Sequence, residues 1–255
     1  MYRVAKRFGN ALPYGLHDHT QSLLEDLSSN ICKDEQFSKP VKKIKYDEIY
    51  YEKARKLLSY EDAPEYMKHN TYILSGYRGI LNCHLCVESI FWWTNETINI
   101  WSHIFGFVLF IALTIYDVLL VKVQAPFGDK IIVGSVLVCF QACMALSALY
   151  HIFSCRSEKH CDVFLTYDLF GIALSLLAIY TSGIYYAFWC DEVYQNFYLS
   201  TVTLIFTIAM LLQVPRFNIN SNVKTLVFVA WGCYGVIPTF HWTYNMGVLK
   251  IPLFA

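Results

Sequence analysis

From about position 100 the chain is written in long apolar runs with short polar breaks, and before that point it is not. The runs lie near 100–121, 131–153, 164–189, 197–214 and 224–244. At ~1.5 Å per residue each is long enough to cross a hydrocarbon core of ~30 Å. The pattern predicts an all-α, polytopic membrane helix bundle with five spans. Pro238 falls inside the fifth run and predicts a kink there.

The first 94 residues read differently. Residues 1–40 show no clear period, end at Pro40 and predict a mostly disordered stretch. In 41–60, Val41, Ile44, Tyr50 or Tyr51, Ala54 and Leu57–Leu58 recur at roughly helical spacing among many charges. That predicts a basic amphipathic helix, lying on the membrane, on a partner or simply in water. Residues 61–82, with Pro64, Gly76 and Gly79, read as a connector. Residues 84–93 are apolar but too short to span, and Trp92 and Trp93 suit the headgroup region. They predict an interfacial helix.

Composition sharpens this division. Charged residues are 16% of the 255, against ~25% in a soluble domain. Thirteen of the 20 Lys and Arg fall in the first 100 residues. Formal net charge is zero, which gives a nucleic-acid partner no support. The first residues lack the apolar core of a cleavable signal, so the first span is expected to act as an internal anchor. If the N-terminus is cytosolic, its 13 basic residues share that side with Arg156, Lys159, Arg216 and Lys224, against Lys122, Lys130 and Lys250 opposite. The expected N-terminus is therefore cytosolic, and five spans then put the C-terminus on the other side. On that topology the sequon Asn95-Glu96-Thr97 is out of reach of glycosylation.

Titratable groups inside spans are costly and so become candidates for function. Asn95 to His103 opens the first span, Ser147 and His151 close the second, and Asp168 lies just inside the third. The expected topology puts these on one membrane face, whereas Asp117 and His241 lie near the other. Ser147 and His151 are four apart and share a helical face. A His, an Asp and a hydroxyl can contribute to a zinc site, the His as ligand and the others holding a zinc-bound water. They can equally be a hydrogen-bonded network between helices. One His and one Asp do not by themselves complete a metal site. Cys83-His84-Leu85-Cys86 and Cys155 with His160-Cys161 lack the paired spacing of zinc modules, and juxtamembrane cysteines are also palmitoylation candidates.

Taken in order, Asn95-Glu96-Thr97-Ile98-Asn99-Ile100-Trp101-Ser102-His103, Ser147-x-x-x-His151 and Tyr167-Asp168-x-x-Gly171-Ile172-Ala173 resemble the progestin and adipoQ receptor family, itself related to hemolysin III-like proteins. The resemblance covers about residues 60–246. It implies a seven-helix bundle with a cytosolic N-terminus, of which this chain supplies the first five spans. It also implies a Zn2+ site with His151 as one metal ligand and Asp168 and Ser147 as catalytic, water-holding groups. The family's other two ligands come from a His-x-x-x-His in the seventh helix, beyond Ala255, so the site is expected to be incomplete in this chain. Phe153-Ser154-Cys155 and Tyr234-Gly235-Val236-Ile237-Pro238-Thr239 are similar to a Golgi-resident member that holds Raf kinase. The implied function is a receptor or signalling regulator of the Golgi membrane, with Raf kinase bound by the N-terminal segment and a lipid or protein-hormone ligand. A zinc-dependent, ceramidase-like lipid amidohydrolase and a non-catalytic scaffold are the alternatives.

Overall fold

The computed structural model describes residues 52–117, 126–213 and 219–246. The stretch 1–40 and most of the expected helix at 41–60 lie outside these residues. The chain divides into two compact units, one of Met1–Trp101 with Tyr150–Phe164, the other of Ser102–Leu149 with Leu165–Ala255.

In the first unit residues 52–55 are helical, but the helix does not continue to 60. Instead β1 (Leu58–Ser59) pairs antiparallel with β2 (Ser75–Tyr77), Leu58 opposite Tyr77. Tyr60 N–H then donates to Leu74 O at 2.9 Å. Partners that are distant in sequence override the local helical period here, and the expected connector holds half of a small sheet. Gly76 is required at its place. Its φ is +92°, and a Cβ there would sit 3.2 Å from the backbone nitrogen of Asn95. Its carbonyl accepts from Asn95 N–H at 2.9 Å, fixing β2 to the start of the first long helix.

The expected interfacial helix is shorter than its apolar run. Helix α1 (Cys83–Glu88) is capped by Asn82, whose side chain accepts from Leu85 N–H at 2.9 Å. A single 3-10 turn, Ser89–Phe91, follows and the chain is extended at Trp92. Trp101 Nε1 donates back to Ile90 O at 3.0 Å.

The long helices are α2 (Thr97–Ile115), α3 (Phe127–Phe153), α4 (Glu158–Ala187), α5 (Glu192–Gln213), α6 (Ser221–Tyr234) and α7 (Val236–Asn245). They supply five stretches long and apolar enough to cross a membrane, the last made of α6 and α7 in series. Helices α3, α4 and α5 start four to six residues ahead of their apolar runs. Asp129, Glu158 and Glu192 occupy their first turns, where acidic side chains favour the helix N-terminus. Hydropathy alone does not register those polar turns.

In the second unit the helices approach closely where residues are small. A Cβ on Gly171 would lie 2.9 Å from Cys143 Cα, and Ser175 Oγ donates to Cys139 O at 3.3 Å, so α3 and α4 pack nearly backbone to backbone. Between α2 and α3, Gln141 Nε2 donates to Thr114 Oγ1 at 2.6 Å. Ala173, Ala209 and Trp231, all essentially inaccessible, form the centre joining α4, α5 and α6. The expected kink at Pro238 is a break at Gly235. Pro238 has no N–H for the carbonyl of Tyr234, and a Cβ on Gly235 would lie 2.5 Å from the Tyr180 ring. The Tyr180 hydroxyl donates to the carbonyls of Trp231 and Gly232, at 2.9 and 2.8 Å.

Candidate functional site

Glu96 and His151 form a largely buried polar pair in the first unit. Glu96 stands immediately before α2, while His151 is in the last turn of α3. His151 Nδ1 donates to Glu96 Oε2 at 2.8 Å, and both side chains are about four-fifths buried. Asn99 Nδ2 donates to the same oxygen at 2.8 Å, and Asn95 Nδ2 to the other at 3.3 Å. Burial alone would raise the carboxyl pKa. The hydrogen bonds from His151 and Asn99, with the positive charge of Arg78, outweigh burial and hold Glu96 below its ordinary value.

Arg78 supports this pair from behind. It is wholly buried and donates to His151 O at 2.5 Å, Ile152 O at 3.0 Å and Ser89 Oγ at 2.8 Å. The last carbonyls of a helix lack intrahelical donors and carry its negative end. A guanidinium there satisfies them and fixes the backbone that bears the imidazole.

In the second unit His103 Nε2 and Ser147 Oγ are 3.1 Å apart, joining α2 to α3. Asp168 is 9% exposed, and its Oδ1 has no hydrogen-bond partner among the described residues. Ser147 and His151 lie one turn apart on α3, as their spacing requires, but the hydroxyl's partner is His103 and the imidazole's is Glu96. His151 belongs to the first unit, Ser147 and Asp168 to the second. His241, near the other end of its span, is 3.0 Å from Tyr198 OH through Nδ1 and 3.1 Å from Asn245 through Nε2. Asp117 is exposed.

An imidazole whose Nδ1–H is held by a carboxylate is the usual form of a metal-ligating histidine. Asp168, with its unpartnered oxygen, could accept from a water. Zinc sites nevertheless take three or four protein ligands. Among the described residues no group of three or more His, Cys, Asp or Glu is placed to hold a metal. The described residues therefore do not by themselves complete a zinc site. The cysteine motifs do not supply one either. Cys83 is disulfide-bonded, and Cys86 lies against Cys155 with sulfurs 3.6 Å apart.

Arg78 and the pairing roles of Glu96 and His103 are what the sequence reading missed. Arg78 had one visible signal: it is the only charged residue between Lys68 and Glu88.

Comparison with known proteins places this arrangement. A model of the haemolysin-III related family matches residues 91–254. The chain belongs to this family. Human progestin and adipoQ receptor family member 3 is 41% identical over 209 residues, covering 78% of this chain and 66% of the relative. Heptahelical transmembrane protein 1 of Arabidopsis thaliana is 31% identical over 206 residues, covering 74% of this chain and 60% of the relative. The adiponectin receptor protein of Drosophila melanogaster is 28% identical over 201 residues, covering 77% and 45%. The chain thus spans about two thirds or less of the length of these relatives. As a haemolysin-III related protein of the progestin and adipoQ receptor type, with five apolar helices of spanning length, it is an integral, multi-pass membrane protein.

Proposed function

We propose that the chain is a signalling regulator of the progestin and adipoQ receptor type, with a cytosolic N-terminus. In this reading it resides in the Golgi membrane, and residues 1–94 hold Raf kinase and restrain the mitogen-activated kinase cascade. The observation that carries the reading is the 41% identity to the human receptor family member over 78% of this chain. The excess of Lys and Arg before the first span supports the orientation. A membrane lipid or a protein hormone is the ligand class in view.

Expressed with an N-terminal tag, the full chain should co-localise with Golgi markers, expose the tag to protease in unpermeabilised vesicles, and retain Raf kinase on immunoprecipitation. Loss of residues 1–50 should weaken that retention. Plasma-membrane distribution with no Raf recovery would overturn the reading.

The carboxylate-held Nδ1 of His151 favours a second reading, a zinc-dependent amidohydrolase acting on ceramide-like lipids. His151 would ligate zinc, which supplies a polarised water. Asp168 and Ser147 would keep the water-holding roles that the family resemblance implies for them. Metal analysis and ceramide turnover, each compared with His151→Ala, test this reading. If signalling survives Asp168→Ala combined with His151→Ala, a non-catalytic scaffold is favoured instead.

A further inference from the structure

Two thiols in the first unit lie together outside everything assigned so far. Cys86 on α1 and Cys155 in the turn after α3 have sulfurs 3.6 Å apart, and both residues are 0% exposed. Neither sits on a loose segment. Cys86 N–H donates to Asn82 O at 2.9 Å, and Leu81 N–H donates to Cys155 O at 3.4 Å. Arg78 holds the two carbonyls just ahead of Cys155, those of His151 and Ile152. The pairing is therefore built into the backbone.

The electrostatics divide the two roles. Cys155 is held below its ordinary thiol value first by the hydrogen bond from Cys86, with Arg78 assisting and burial opposing. Cys86 is pushed up, first by the same hydrogen bond and then by burial. One sulfur is inclined to be the nucleophile and the other carries the proton, which is the division that stepwise dithiol oxidation uses.

We propose that Cys86 and Cys155 form a reversible disulfide site, closed by a hydroperoxide. The Cys155 thiolate attacks the peroxide: an S–O bond forms, the O–O bond breaks, and the departing oxygen takes a proton. The Cys86 sulfur then displaces the new hydroxyl. The S–S bond forms, the S–O bond breaks, and the hydroxyl leaves with the Cys86 proton as water. Two thiols lose two electrons in total and one hydroperoxide gains them. The pair is closed to solvent, so the oxidant, and the dithiol that reverses the reaction, must be small. The sulfurs need only close from 3.6 Å to a bonded ~2.05 Å. The bond would join α1 to the turn that follows the helix end bearing His151, so the oxidation state would bear on the Glu96–His151 pair.

Peptide mapping of the full chain in detergent, treated with hydrogen peroxide and then alkylated after denaturation, tests the proposal. The expected result is concerted loss of free Cys86 and Cys155 and appearance of their linked peptide. Fragmentation distinguishes Cys86 from Cys83, and dithiothreitol restores both thiols. Persistence of both free thiols while the exposed Cys190 is oxidised would overturn it, as would linkage of either thiol to Cys161. In Cys86→Ser a sulfenic-acid probe should label Cys155, whereas in Cys155→Ser it should not label Cys86; the opposite pattern also overturns it. Mapping of the unmodified chain decides the matter even if a variant fails to fold.

Discussion

His151 Nδ1 lies 2.8 Å from Glu96 Oε2 although the two residues are 55 apart in the chain. The bond ties the beginning of one membrane helix to the end of the next. It also selects the tautomer of the imidazole, placing the proton on Nδ1.

That bond makes stability pH-dependent in a definite direction. Glu96 is held below its ordinary pKa in the folded chain, so it favours folding at pH values above the unfolded carboxyl's ~4.3. The contribution should be lost as pH falls through that value and on through the lower folded one. Melting curves in detergent between pH 6 and pH 3 should therefore fall less steeply for Glu96→Gln than for the parent chain. At pH 6 the variant should be less stable by about 1–3 kcal/mol.

Replacing Arg78 should be more damaging than replacing an exposed arginine. Arg78→Met removes the donors from two helix-end carbonyls and from Ser89 at once. Charged hydrogen bonds are worth about 1.5–3 kcal/mol each, so a loss of about 3 kcal/mol or more is expected. Arg78→Lys should recover only part of it, because an ammonium cannot span the same fork. Thermal denaturation gives the ranking, and hydrogen exchange at residues 150–156 should rise in both variants.

Two glycine substitutions should behave oppositely. Gly171→Ala puts a methyl 2.9 Å from the Cys143 backbone, which cannot yield as a side-chain tip would. A cost of about 1–3 kcal/mol follows. Gly183→Ala meets nothing within 4 Å and lies inside α4, so it should be neutral or stabilising by up to about 1 kcal/mol. Paired melting temperatures check both.

Asp168→Asn should separate stability from function. The buried carboxyl oxygen lacks a partner among the described residues, so replacing the carboxyl by an amide should leave stability unchanged or raise it by about 1–2 kcal/mol. If Asp168 serves a ligand or a water, the same variant should lose signalling. A gain in melting temperature with retained signalling would assign Asp168 no functional part.

The five spans could be read from the sequence because lipid imposes a long, continuous apolar run that short-range patterning cannot hide. Their beginnings could not, because Asp129, Glu158 and Glu192 belong to the helix yet read as loop. The sheet between Leu58 and Tyr77 was equally hidden, since its stabilising partner lies about twenty residues away and 41–60 has a helical period of its own. In the site, Ser147, His151 and Asp168 were visible as polar residues in apolar company. Their hydrogen-bond partners were not, because neither His103 with Ser147 nor Glu96 with His151 is encoded by spacing.

The break at Gly235 bears on the interior of the last span. Helix α6 has 14 residues and α7 has 10, so at ~1.5 Å per residue they extend about 21 and 15 Å. Neither reaches across ~30 Å of hydrocarbon alone. Their joint therefore falls inside the apolar stretch, away from both ends of the span. The Tyr180 hydroxyl, lent from α4, serves there as a built-in solvent molecule, so the fifth span depends on the third for its solvation as well as for its packing.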